Sequence, residues 1–397
     1  MQKSRILVLL ILLTFFVISF ISNIMGPIIP DLIRSFNLNL TLVSLLPFSF
    51  FIAYGVTSIP AGILLETYRE KKVMIFAFGL ATTGSLLLVL SPHYLSALIS
   101  LFLIGSGMAM LQVVINPLLR TAGGEENYAN YSVLAQLIFG FASFLSPMVY
   151  QKFIAHPSIQ AQSFPWLSLY FLFIAISLLM MLISFMTKFP KVDLGDDEKP
   201  GAWAIHLQLF KNKYVILYFI AMLCYVGTEQ GIATWISQFL QSYHGLDPQT
   251  HGADTIAYYW GLMTAGGILG LVLLKLLDSR VVLTSFTLLA MISLGFALYG
   301  DAQTALIAFP LIGFFASVMY PIIFSLALNS VAENHGSFAG IIVTGIVGGA
   351  IFPFIVGGIG DNFGLKTGMS ILFISMAYIG SIGLWAKPLV SNKRINN

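Results

Sequence analysis

One acidic residue in this chain stands where acids are costly. Fifteen of its sixteen Asp and Glu residues are read in polar breaks or at the ends of apolar runs, while Glu229 falls fifteen residues past Tyr214, inside one. On a helix rising about 1.5 Å per residue, that is roughly 22 Å along the axis. No Lys or Arg stands at comparable depth in any apolar run, so an ion pair does not account for it. A carboxyl group so placed must be solvated, protonated or hydrogen-bonded. Three readings follow: a group that takes up and releases a proton, a sodium ligand together with the amide oxygens of Gln230 and Gln112, or a structural carboxyl tied between helices.

Amides and aromatic rings form the second set. Gln112 and Asn116 are four residues apart and share a helix face, just before Pro117, which frees a backbone carbonyl. Asn23, Gln136 and Gln238 add amides within apolar runs, and Trp235, Trp260 and Tyr320 add rings. Amides that bind hydroxyls in pairs, with a ring beneath an apolar face, suit a polyhydroxyl solute. The plainer reading is helix–helix glue for the amides and interfacial belts for the rings, and for Trp260, close to an apolar run's end, the two readings weigh alike. The six histidines lie in or beside predicted loops, and Cys224 is alone. A disulfide within the chain is therefore excluded, Cys224 reads as a packing residue, and neither a metal site nor a cofactor is expected. The glycine-rich stretches 262–270 and 345–349 sit in apolar runs, where small residues allow close backbone approach.

The elements that carry these residues are dictated by composition. Hydrophobic residues make up 58% of the 397 and charged ones 9%, against about a quarter charged in soluble globular domains. Apolar runs long enough to cross a bilayer are predicted at 6–26, 42–65, 73–91, 95–119, 131–153 and 166–187, then at 214–241, 255–277, 281–299, 303–331, 337–359 and 366–386. The first is too long for a signal peptide and lacks its cleavage pattern, so it is read as a retained span. An all-α membrane protein of twelve helices in two six-helix bundles is expected, with domains at 1–188 and 214–397 joined by a charged linker, 189–213. With the N-terminus inside, all but Arg34, Lys152 and Lys366 of the 19 Lys and Arg residues fall on the cytoplasmic side, as the positive-inside rule requires. Both termini are then cytoplasmic and the bilayer is a bacterial inner membrane.

The halves echo each other. A shift of 208 positions carries Ile104-Gly105 onto Ile312-Gly313, Gln112 onto Tyr320, Glu125 onto Glu333 and Gln136 onto Thr344, and Ala61-Gly-Ile-Leu64 is similar to Gly266-Gly-Ile-Leu269. Two parallel repeats about an axis along the membrane normal are the plan of major facilitator transporters. Within that plan the chain resembles the fucose:proton symporters and their glucose/galactose relatives. The resemblance rests on Gln112-Val-Val-Ile-Asn116-Pro117-Leu118, Pro60-Ala-Gly-Ile-Leu64, Cys224-Tyr-Val-Gly227, Tyr320-Pro-Ile-Ile-Phe-Ser-Leu326 and Gly345-Ile-Val-Gly-Gly349.

The resemblance implies proton-coupled sugar import through a cavity between the halves, with spans 1, 4, 7 and 10 facing it. Two family carboxylates fall here on Gly26 and Gln112, and a family amide falls on Phe139. Neutral Gln112 cannot carry a proton, which leaves Glu229 as the expected ion-coupling residue. Asn23, Gln112, Asn116, Gln136, Gln230, Trp235, Gln238 and Tyr320 are the expected substrate-binding set. The expectation is a monomeric secondary active transporter of a small polar solute working by alternating access, with proton or sodium coupling and with no nucleic acid as partner. A drug or metabolite exporter by proton antiport is the alternative. An enzyme would need convergent catalytic groups at membrane depth, and a channel a ring of like polar residues. The Glu66 to Lys72 loop is either a gate or plain topology.

Overall fold

The computed structural model describes residues 5–123, 128–189, 208–331 and 335–389, and all regular structure among them is helical. Among the described residues twelve helices are long and apolar enough to cross a membrane, the number expected. They are span 1, Arg5–Phe36; span 2, Leu40–Ser58; span 3, Tyr68–Leu90; span 4, Tyr94–Ile115; span 5, Tyr131–Ile154; and span 6, Pro165–Met186. The second set is span 7, Lys213–His244; span 8, Pro248–Leu276; span 9, Ser279–Tyr299; span 10, Ala302–Leu328; span 11, Phe338–Phe363; and span 12, Leu365–Trp385. The chain divides into two compact units, Met1–Asp193 and Leu194–Asn397. Most of the expected linker, and the Glu125–Glu333 pair, lie outside the described residues.

Span 1 corrects the sequence reading most. The first apolar run is expected to end at 26, yet the helix breaks at Asn23–Ile24 and restarts as Met25–Phe36. Pro27 is third in the new helix, where its missing N–H has no partner to lose. Asn37 closes it in the left-handed region at φ 52°, donating its N–H to the Ile33 carbonyl. Spans 10 and 11 are broken too, at Ser317–Val318 and at the 3-10 turn Gly345–Val347. Spans 2 and 3 run on through a kink at Arg69, whose φ of 67° and ψ of 166° are not helical.

Each unit repeats the same packing. A Cβ placed on Gly105 of span 4 would lie 2.2 Å from the Phe50 carbonyl oxygen of span 2, and one on Gly313 of span 10 would lie 2.2 Å from the Tyr259 carbonyl oxygen of span 8. Gly105 and Gly313 are one of the 208-offset pairs, so the weak sequence echo marks the same contact built twice. Span 1 likewise packs on span 5, through Ser19 and Ser143, whose hydroxyls are 2.6 Å apart. Span 7 packs on span 11, through Gly348 against Leu223 and Gly227. Hydroxyls hold the first pair together and bare backbone the second.

Candidate functional site

Span 7 sets the position of the carboxylate. Its helix starts at Lys213 under Asn212, whose side-chain oxygen accepts from the Tyr214 N–H at 2.9 Å, and ends at Gly245, φ 64°. Glu229 stands midway with a partly buried side chain. Tyr225, one turn earlier on the same face, donates its hydroxyl to Glu229 Oε2. Gln230 Nε2 donates to Oε1 at 3.1 Å. From span 8 the Tyr259 hydroxyl donates to the Glu229 backbone carbonyl at 3.3 Å. Among the described residues both side-chain partners are neutral, and no Lys, Arg or His is one of them.

That choice of partners has a chemical consequence. A cation would hold the carboxylate ionised, whereas a phenol and an amide can each donate or accept. Ionised Glu229 accepts from both; protonated, it donates to the Gln230 carbonyl once that amide turns over. The carboxyl thus keeps a hydrogen-bond partner in either charge state. Its wall is aromatic: the Tyr225 ring lies 5.9 Å from that of Tyr320, which stacks on Phe324 at 6.0 Å. Tyr320 follows directly on the break in span 10 and keeps part of its surface open.

The other expected residues of this unit divide by their partners. Gln230 is 8% exposed. Trp235 is fully buried and donates its indole N–H to the Pro353 carbonyl at 3.2 Å. It packs span 7 on span 11 and presents no open ring face in this structure. Gln238 donates to Ser242 Oγ at 2.9 Å while its Oε1 is buried without a partner. Trp260, 5% exposed, has an unpartnered Nε1. An acceptor and a donor, both idle and both buried, are the kind of groups a hydroxylated ligand would satisfy. Cys224 is free and buried.

In the first unit, Asn23 sits in the break of span 1. Its Nδ2 donates to the Ser19 carbonyl and to Ser143 Oγ, both at 3.0 Å, and Ser19 Oγ lies 2.6 Å from the Phe139 carbonyl. One amide hydrogen thus ties the break back to Ser19 of its own span, and the other binds it to span 5. Asn23→Ala is expected to cost about 0.6–1.7 kcal/mol of stability, the range of interhelical hydrogen bonds in membranes, with solute affinity little changed. Unfolding and binding titrations on the same preparation check this; a large loss of affinity at unchanged stability would return Asn23 to the binding set.

Gln136 is exposed, on the face of span 5 that carries Ser143 two turns on, about 10 Å along the axis. Gln112 is partly buried and has a partner of its own. Asn116 follows span 4 directly, in the same helix, Tyr94–Gly123, with its side chain outside the described ones.

Asp31 corrects the inventory of acids. The extension of span 1 carries it into the apolar helix, where it is 9% exposed, accepts the Tyr150 hydroxyl and pairs with Arg34 at 2.9 Å. Unlike Glu229, this acid has a cation beside it.

The model for the Major Facilitator Superfamily matches residues 11–353. The chain belongs to the Major Facilitator Superfamily. The glucose/galactose transporter of Brucella abortus is 29% identical over 390 residues, covering 94% of this chain and 92% of that protein. The L-fucose-proton symporter of Escherichia coli K12 is 25% identical over 382 residues, covering 88% and 86%. A crystal structure of the E. coli fucose:proton symporter has the same fold, with a TM-score of 0.70 at 23% identity over 97% of this chain and 100% of that one. As a member of the superfamily the chain is a multi-pass membrane transporter. Sequence reasoning within the superfamily missed Tyr225, Tyr259, Ser19 and Ser143. Tyr225–Glu229 and Ser19–Asn23 are both four residues apart, a spacing that places each pair on one face; Tyr259 and Ser143 come from other helices and left no signal.

Proposed function

We propose that this protein is a proton-coupled importer of a small sugar, with Glu229 as the group that carries the proton. One observation bears most of the weight: Glu229 is a membrane-depth carboxylate whose described side-chain partners are a phenol and an amide and not a cation. A coupling group must exist in two charge states during the cycle, and these partners serve both. The names of the B. abortus and E. coli relatives, a glucose/galactose transporter and a fucose symporter, support a hexose as the solute. The idle Gln238 Oε1 and Trp260 Nε1, the ring of Tyr320, and Gln112, Asn116 and Gln136 of the first unit are the proposed contacts. Spans 1, 4, 7 and 10 would line the path, alternating access would move the solute, and both termini would face the cytoplasm of a bacterial inner membrane.

The test is uptake into proteoliposomes made alkaline inside. Labelled galactose, glucose or fucose is expected to accumulate above its external concentration, with the lumen acidifying as it enters. Accumulation that follows a sodium gradient and ignores the pH gradient would move the coupling to sodium. Binding of lipophilic compounds with no response to any hexose would favour the exporter reading.

A further inference from the structure

A second site lies at the opposite end of span 7 from Gly245. Lys213, Tyr214, Ile216 and Leu217, at the start of that helix, and Trp385 and Lys387, at the end of span 12, line a groove of about 600 Å³. Its walls are held from behind. The Trp385 ring lies 5.0 Å from that of Tyr218, and its N–H reaches Ser381 Oγ at 3.2 Å. Tyr378 donates its hydroxyl to the Leu217 carbonyl at 2.9 Å. Arg280, bound to both oxygens of Asp278 at 3.1 and 3.2 Å, also reaches the Ala386 carbonyl at 3.5 Å, next to Lys387.

Charge and polarity are arranged as in an amphiphile's complement. Lys213 and Lys387 are exposed and have no acidic partner among the described residues, while Ile216, Leu217 and Trp385 offer apolar surface beside them. Tyr214 lies under the Lys213 ammonium at 5.8 Å. Lysines and aromatic rings at helix ends also serve as general interfacial anchors, but an anchor needs no groove shared between two helices, and this one is open along its length. A space of this size exceeds one phosphate ion and suits a headgroup with the start of its chains. Lys366, at the other end of the unit, differs: its ammonium is enclosed by the rings of Tyr243 and Tyr299 at 5.0 and 5.4 Å. The groove lies on the side that the Lys and Arg distribution assigns to the cytoplasm, whose leaflet carries anionic lipid.

We infer that this groove binds the headgroup of an anionic phospholipid, with Lys213 and Lys387 on the phosphate and Trp385, Ile216 and Leu217 against the upper acyl chains.

The experiment titrates the full-length protein in detergent with dihexanoyl-phosphatidylglycerol, dihexanoyl-phosphatidylcholine or inorganic phosphate and reads the unfolding temperature. Phosphatidylglycerol is expected to raise it saturably, with the other two doing little. A lysine near an anionic surface is worth about fivefold in affinity, so K213Q/K387Q is expected to weaken binding about 25-fold. K213R/K387R should bind as the wild type does, which separates lost charge from a damaged fold, and K366Q should change nothing. An equal shift with phosphatidylcholine, an equal shift with inorganic phosphate, or full binding by K213Q/K387Q with K213R/K387R no different would each overturn the site. The assay uses no transport and no sidedness, so a wrong solute or a wrong orientation would not alter its outcome.

Discussion

Glu229→Gln protein, reconstituted and given an outside-acid gradient of one pH unit, is expected to stop at equal sugar concentrations inside and out. The wild type, moving one proton per sugar, can reach a ratio of about ten, since each tenfold ratio corresponds to about 1.4 kcal/mol. The substitution preserves size and still accepts from Tyr225. Its new Nε2 faces the Gln230 Nε2, which now donates to Glu229 at 3.1 Å, and a turn of the Gln230 amide restores the pairing. Titration is the property that is lost. Exchange of labelled for unlabelled sugar at equal concentrations is therefore expected to continue, because it requires no net proton movement. Retained accumulation in the variant would place coupling elsewhere, and loss of both accumulation and exchange would show a structural need for the carboxylate. Asp31 is the natural control: it sits beside Arg34 at 2.9 Å, so an Asp31→Asn change is read as loss of an ion pair and not of a proton carrier.

Gly348→Leu is expected to be the most damaging single change in the second unit. A Cβ there would lie 2.0 Å from the Leu223 carbonyl oxygen and 3.0 Å from the Gly227 nitrogen, and a Cβ on Gly227 would lie 2.2 Å from the Phe352 ring. The obstacles at Gly348 are backbone, which cannot turn aside, so spans 7 and 11 must move apart. Overpacking of this kind costs about 1–3 kcal/mol and sometimes more, and the strain falls two residues from Glu229. Lower unfolding temperature and lost transport are expected together. Gly266 and Gly267 provide an internal comparison: a Cβ on Gly266 would meet the Phe314 carbonyl oxygen at 2.3 Å, while one on Gly267 would meet nothing within 4 Å. Gly266→Val should destabilise and Gly267→Ala should not. A Gly348→Leu protein with unchanged unfolding temperature, or equal effects at 266 and 267, would refute the packing argument.

The amino-acid sequence alone was enough for what depends on local composition. Twelve spans follow because an apolar run of this length satisfies its backbone in a bilayer as a helix, and Glu229 stands out because an acid in such a run is visible without any partner. The Gly105–Gly313 echo survives because a backbone contact at that point tolerates no side chain in either unit. Where the sequence reading ends the first run too early, at 26, the cause is that a restarting helix needs no N–H from a proline in its first turn, so the end of a span and a break inside one look the same. That error hid Asp31, whose Tyr150 partner is 119 residues away. Trp235, too, reads from sequence as a ring that could cover a sugar, and only the tertiary structure places its indole N–H on the Pro353 carbonyl of span 11. Asn23 looks like a ligand amide until Ser143 takes its hydrogen bond. Gly266 and Gly267 are indistinguishable as letters, and the difference lies entirely in what stands opposite. Helical periodicity assigns a residue to a face, but which helix, carbonyl or void that face meets is a property of the tertiary structure alone.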